Sequence, residues 1–281
     1  MTEAELLLTH LLECERLDLY LNAGRRIPPD KALQFAEALR RRGKGEPLQY
    51  ITASTEFMGL AFEVDPSVLI PRPETELLVE TALSRLGSRR GRGETVRILD
   101  AGTGSGCIAV SLAVMLDDVS LTAVDISRGA LDVARRNARA HRVEEKIDFI
   151  RADFFFSPFS HPPQTALHPA GVPPRFNLII SNPPYIPAQE IDALQPEVRY
   201  EPRQALDGGA DGLDCFRALF RKAPRMLTNG GLLLIEIGCG QMSALRKILH
   251  NSGNFEIIEV VKDYAGIERV VILRTQAKRH G

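Results

Sequence analysis

Val96-Arg97-Ile98-Leu99-Asp100-Ala101-Gly102-Thr103-Gly104-Ser105-Gly106-Cys107 decides how this chain is read. A short apolar run reads as a buried strand, and a turn made of three alternate glycines comes directly after it. Glycines so placed let the backbone turn tightly and let a ligand approach with no Cβ in the way. Helical spacing then resumes over Cys107 to Leu116, so the stretch is strand, turn, helix.

The same alternation continues to the C-terminal end. Strands are predicted at Val96 to Leu99, Leu121 to Val124, Ile147 to Ile150, Phe176 to Ser181, Gly231 to Ile237, Phe255 to Val261 and Arg269 to Leu273. Further helices fall at Ser127 to Ala140, Leu213 to Met226 and Met242 to His250. Such a pattern argues for a mostly parallel sheet covered on both faces. Only Lys262 to Gly266 separates the last two strands, which predicts an antiparallel hairpin. Ser157 to Pro174, rich in Pro and His, reads as an exposed loop, and Gly87 to Glu94, with Arg89, Arg90 and Arg92, as a flexible connection.

Upstream the pattern differs. Apolar positions from Ala4 to Leu21 recur at mostly helical spacing, and Pro28-Pro29-Asp30 announces a helix over Lys31 to Arg42 with Leu33, Phe35, Ala36 and Leu39 as its inner face. Arg40, Arg41, Arg42 and Lys44 at its end are favoured by the helix dipole, with contact to an anionic partner as the alternative. Tyr50, Ile51, Phe57, Met58, Leu60, Phe62 and Val64 carry strand signals, and Pro71 to Glu76 opens an amphipathic helix through Leu86. The division expected is a helical N-terminal domain over 1–45 that binds a partner, a β-hairpin linker over 46–70, and the sheet domain over 71–281.

Composition narrows the partners. With 35 basic and 36 acidic side chains the net charge is −1, which provides no global attraction to nucleic acid or to an anionic membrane. Cys14, Cys107, Cys215 and Cys239 lie far apart without a C-x-x-C pair, which suits a reduced cytoplasmic setting and no metal. Neither a signal peptide nor an apolar run of about 18 residues is present.

Chemistry-bearing residues cluster at the C-terminal ends of the strands, where ligands bind in open α/β sheets. The spacing of the glycine turn differs from the dinucleotide fingerprint, and no Lys-Ser or Lys-Thr follows for a triphosphate, so a phosphate-free nucleoside is expected. Asp125, ending the second strand, can accept both ribose hydroxyls, while Ser127 is better placed to cap the next helix. After the third strand, Asp153 can accept from an adenine amine and Phe154 can cover its flat face. After the fourth comes Asn182-Pro183-Pro184-Tyr185, where two prolines end the strand and leave a polar side chain beside an aromatic ring.

Together the glycine turn, Asp125 and the Asp153-Phe154 pair resemble the S-adenosylmethionine site of the seven-strand methyltransferases, over about Val96 to Leu273. The resemblance implies a Rossmann-like S-adenosylmethionine-dependent methyltransferase fold, with Gly102, Thr103, Gly104, Ser105, Gly106, Asp125, Asp153, Phe154 and Asn182 at the cofactor and S-adenosylhomocysteine as product. The tetrapeptide resembles the motif of enzymes that methylate planar nitrogens, adenine amines and glutamine amides alike. Such a nitrogen is a poor nucleophile because its lone pair is delocalised. Asn182 and the Pro183 carbonyl can accept its two N–H bonds and Tyr185 can stack on its plane, with Pro184 shaping the substrate side.

The choice between the two nitrogens rests on a wider resemblance. Phe57 to Leu60, Val68 to Glu76, Asp100 to Gly106, Asn182 to Ile186, Glu197 to Pro202 and Asp207 to Gly212 are similar to the release factor glutamine methyltransferases, the HemK or PrmC family. That implies methylation of the Gly-Gly-Gln glutamine of class 1 peptide chain release factors; from charge and cysteine usage a cytoplasmic enzyme with no direct nucleic-acid contact is expected, and a monomer. The alternatives are a ribosomal protein L3 glutamine methyltransferase and a DNA adenine methyltransferase. The Pro71 to Glu76 run disfavours the first, and the lack of a basic groove disfavours the second. Arg199 and Glu201 are expected to pair as structural charges, the alternative being that they line the substrate entrance, and Glu236 and Gly238 to close the pocket floor.

Overall fold

The computed structural model describes residues 2–87, 94–155 and 175–276. Most of the expected Gly87 to Glu94 connection and the Ser157 to Pro174 loop therefore lie outside the described residues. No described helix is long and apolar enough to cross a membrane.

Four helices open the chain: α1 (Glu3–Leu12), α2 (Arg16–Leu21), α3 (Pro29–Arg42) and α4 (Leu48–Thr52). Thr2 and Glu5 form a capping box at the start of α1, and Glu13, in the left-handed region, ends it. That break divides the expected single helical stretch in two. The inner face predicted for α3 is corrected: Leu33 is 73% and Leu39 45% exposed, Ala36 is exposed, and Ala38 with half-buried Phe35 faces inward. Arginine stems take the inward side instead. Arg41 pairs with Glu46, and Arg42 pairs with Glu3 at 2.7 Å and also with Glu197. Tyr50 and Ile51 are likewise helical rather than extended, because Pro47 starts α4 and the Tyr50 hydroxyl is drawn inward to donate to the Val68 carbonyl at 2.6 Å.

Strands β1 (Ser54–Phe57) and β2 (Leu60–Glu63) form the hairpin around Met58-Gly59, both at positive φ, the two-residue turn that matches strand twist. Phe57 and Phe62 meet edge to face at 6.0 Å and enter the main core. Asn137 anchors the hairpin: its Oδ1 accepts the Glu63 N–H at 2.7 Å, and its Nδ2 donates to the carbonyls of Glu63 and Ser105.

The rest is α5 (Pro73–Gly87), β3 (Val96–Ala101), α6 (Cys107–Met115), β4 (Val119–Asp125), α7 (Arg128–Ala140), β5 (Ile147–Arg151), β6 (Phe176–Ser181), α8 (Pro196–Arg199), α9 (Arg203–Leu206), α10 (Asp214–Met226), β7 (Leu227–Glu236), α11 (Met242–Ser252), β8 (Phe255–Lys262) and β9 (Glu268–Thr275). Seven strands pair in the order β5-β4-β3-β6-β7-β9-β8, parallel except where β9 runs against both of its neighbours. Side chains alternate across the sheet. Ile98, Leu178, Ile180, Leu234 and Ile272 pack with α5 and α6, while Leu99, Ile179, Leu233, Ile235 and Val271 pack with α10 and α11. Burial of both faces is the reason the central strands read as unbroken apolar runs. Strand order reverses between β3 and β6, which pair from Ile98–Leu178 to Asp100–Ile180. A crevice opens beyond the carboxyl ends of strands at such a reversal.

Candidate active site

Both polar segments singled out by the sequence leave the sheet at this reversal. The glycine turn follows β3 and the tetrapeptide follows β6, and the Ser181 hydroxyl, donating to the Ala101 carbonyl at 2.6 Å, ties the two strand ends together. Above them lies a cavity of about 350 Å³. Gly102, Gly104, Asp125, Asp153, Phe154, Asn182 and Pro184 line it. A Cβ built on Gly104 would meet nothing within 4 Å, so any side chain there would occupy ligand space.

Thr103, Ser105 and Gly106 stand behind this wall. Thr103 is buried and donates to Asp100 Oδ2 at 2.6 Å, Ser105 is buried, and a Cβ on Gly106 would lie 3.0 Å from the Ala134 Cβ. These three shape the turn from beneath. Asp125 grips it from the side: its Oδ2 accepts the Gly104 N–H and its Oδ1 the Ser127 N–H, both at 2.9 Å. Ser127 caps α7 by accepting the Ala130 N–H at 3.2 Å. Burial raises the Asp125 carboxyl above its ordinary range and pushes buried Asp100 up to about 7. Each Asp125 oxygen keeps a lone pair for a hydroxyl donor, and the apolar wall beside it suits a flat ring. The residues present therefore fit an adenosyl group.

Phe154 is 2% exposed, and its ring lies 5.5 Å from the Lys222 ammonium, which also donates to the Phe154 carbonyl. Phe155, not singled out by sequence, lines the cavity as well and would contact a Cβ on Gly102 at 3.6 Å.

The tetrapeptide is held from below and behind. Ile186 and Asp207 form a parallel bridge, the Gly208 N–H donates to the Ile186 carbonyl at 2.9 Å, and a Cβ on Gly208 would lie 2.8 Å from the Tyr185 Cα. Gln241 donates to the Tyr185 carbonyl at 2.9 Å and to the Gly212 carbonyl at 3.3 Å while accepting the Gly238 N–H. Gly208 and Gly212, within the stretch Asp207 to Gly212, are thus the glycines on which the tetrapeptide rests. The density of glycine in that stretch is the one local sign of that close approach.

Arg199 and Glu201 do not pair. Arg199 is exposed, whereas Glu201 is buried, pairs with Arg72 and accepts the Ile70 N–H at 3.0 Å. Their predicted partnership fails because the chain turns between them at Tyr200, whose hydroxyl donates to the Lys44 carbonyl at 3.0 Å. On the far side of the tetrapeptide, Glu236 is 1% exposed and burial pushes its carboxyl up to about 7. Thr75 donates to it at 2.7 Å and accepts from Asn182 Nδ2 at 3.0 Å. Burial also pushes the Tyr185 phenol up to about 12, so it stays protonated at neutral pH.

Two family models match the chain: the PrmC N-terminal domain over residues 1–52 and the methyltransferase small domain over 73–199. A release factor glutamine methyltransferase of Chlorobaculum tepidum is 44% identical over 95% of this chain and 87% of its own length. One from Geobacter sulfurreducens is 42% identical over 96% and 87%. Among solved structures, a methyltransferase from Pyrococcus furiosus superposes with a TM-score of 0.51 at 18% identity, covering 84% of this chain and 98% of that one, a likeness of fold.

Proposed function

The chain belongs to the release factor glutamine methyltransferase family, and from that premise we propose that it transfers a methyl group from S-adenosylmethionine to the side-chain amide nitrogen of the Gly-Gly-Gln glutamine in class 1 release factors. The observation that carries the proposal is the meeting, at one end of adjacent strands, of a ligand cavity and the Asn182-Pro183-Pro184-Tyr185 clamp. S-adenosylmethionine supplies, when bound, a methyl group made electrophilic by its sulfonium charge. Gly102 and Gly104 give it backbone to lie on, Asp125 takes the ribose hydroxyls, and Asp153, Phe154 and Phe155 border the base.

Asn182 Oδ1 and the Pro183 carbonyl accept the two N–H bonds of the glutamine amide, and Tyr185 stacks on its plane. They would orient the nitrogen for transfer and favour the positive charge that grows on it. The helical N-terminal region supplies the docking surface for the release factor. Leu17, Leu21 and Leu33, at 65%, 73% and 73% exposure, are apolar side chains in want of a partner.

Mass spectrometry of a co-expressed release factor is expected to place one methyl mass on the Gly-Gly-Gln peptide. Label transferred from S-adenosylmethionine to ribosomal protein L3 or DNA, with none in release factor, would sink the proposal. At the cofactor, Asp125→Ala is expected to weaken S-adenosylmethionine binding by about tenfold to a hundredfold, the worth of one or two hydrogen bonds to a carboxylate. Calorimetry giving an unchanged affinity would remove Asp125 from the cofactor site.

A further inference from the structure

Asn182, Thr75 and Glu236 come from three separate elements, and the hydrogen bonds joining them run in one direction. The Thr75 hydroxyl owns a single proton. An ionised Glu236 can only accept, so that proton goes to its Oε2, 2.7 Å away. Thr75 Oγ1 is then left able only to accept, and the group facing it at 3.0 Å must be the Asn182 NH2. Asn182 Oδ1 is thereby turned away from Thr75, and none of the described residues donates to it.

We infer that Thr75 and Glu236 are positioning residues, which select from the two orientations of the Asn182 amide the one whose oxygen meets the acceptor amide. The inference rests on the role proposed above for Asn182. In the flipped orientation an NH2 group would confront the N–H bonds of the glutamine, donor against donor. Thr75 is 2% and Glu236 1% exposed, so neither touches substrate and water does not compete for their bonds.

Protonation would undo the selection. A neutral Glu236 can donate to Thr75, which frees the Thr75 proton to turn towards Asn182 and stabilise the flipped amide. The groups facing Glu236 are Thr75 and Glu74 from α5, Tyr185 from the clamp, Arg269 at the start of β9 and the Cys107 thiol at the start of α6. Burial outweighs the Arg269 cation and pushes the carboxyl up to about 7. Transfer should therefore fall as pH drops through that value.

The test uses full-length enzyme and release factor with saturating S-adenosylmethionine. Thr75→Val keeps the shape and removes the hydroxyl, and Thr75→Ser restores it. Glu236→Gln presents an amide that can donate to Thr75 at any pH. Thr75→Val and Glu236→Gln are expected to lower kcat at least about tenfold, with KM and cofactor affinity within about threefold, the signature of misalignment. Thr75→Ser should recover most of the rate, and Glu236→Gln should lose the acid limb of the pH profile. A wild-type kcat in Thr75→Val, a Thr75→Ser as slow as Thr75→Val, or an unchanged acid limb in Glu236→Gln would each overturn the inference. Melting curves identify a variant that fails to fold. For that case, and if release factor proves not to be the substrate, NMR exchange of the Asn182 side-chain amide in the wild-type cofactor complex gives an independent reading. Protection that depends on pH near 7 is expected, and its absence would refute the hydrogen-bond direction whatever the acceptor.

Discussion

Asn182→Ala is expected to lower the single-turnover rate of methyl transfer by about a hundredfold or more, while affinity for S-adenosylmethionine changes by less than about threefold. Truncation removes the acceptor for one of the two N–H bonds of the glutamine amide. It also leaves the Thr75 hydroxyl, at 3.0 Å from the lost nitrogen, without the donor it faces. The Pro183 carbonyl alone cannot fix rotation of the amide about its second N–H, so fewer encounters align the nitrogen with the methyl. Cofactor affinity is largely spared because the Asn182 amide addresses the acceptor nitrogen, while the ribose is left to Asp125, which the Gly104 and Ser127 N–H groups hold in place. An unchanged rate at saturating cofactor would remove Asn182 from the mechanism, and a collapse of affinity would reassign it to the cofactor.

Gly212→Ala is expected to cost more than about 2 kcal/mol of stability and to slow transfer together with it. Gly212 has φ of +74°, where an alanine is strained, and its Cβ would fall inside contact of the Tyr185 carbonyl oxygen. Gln241 Nε2 at 3.1 Å and Pro187 Cδ at 3.2 Å close the other sides, so relief has to come from moving the clamp itself. Chemical denaturation with a parallel methylation assay checks both halves. A variant as stable as wild type with full activity would show that the clamp does not rest on this glycine.

Elements are legible in the sequence where their signals are local. Strand β6 is bounded as read, Phe176–Ser181, because two prolines stop it. Strand β7 begins at Leu227 rather than Gly231, since Thr228-Asn229-Gly230 has the composition of a turn yet lies within the strand beside an irregularity in its pairing with β6. Tyr50 and Ile51 carry strand propensity that a following Ala53 at φ +53° and a preceding Pro47 override. The inward face of α3 escapes a reading by polarity because long arginine stems serve there as packing.

At the site, Asp125, Asp153 and the tetrapeptide can be placed because each lies at or just beyond the end of a strand, and chain order brings strand ends to one edge. The bonds from Thr75 cannot be foreseen in that way. They reach 107 residues to Asn182 and 161 to Glu236, and no local pattern encodes such a meeting.

That reach also bears on how the enzyme is born. Long-range contacts carry a loop-closure cost before they contribute anything, so structures dominated by them form late. The Asn182 orienting group is complete only when β7 has entered the sheet between β6 and β9 and delivered Glu236 to Thr75. A nascent chain can build its N-terminal helices and its glycine turn early, but methyl transfer has to wait for β7, which only β8 and β9 follow among the strands, to emerge from the ribosome.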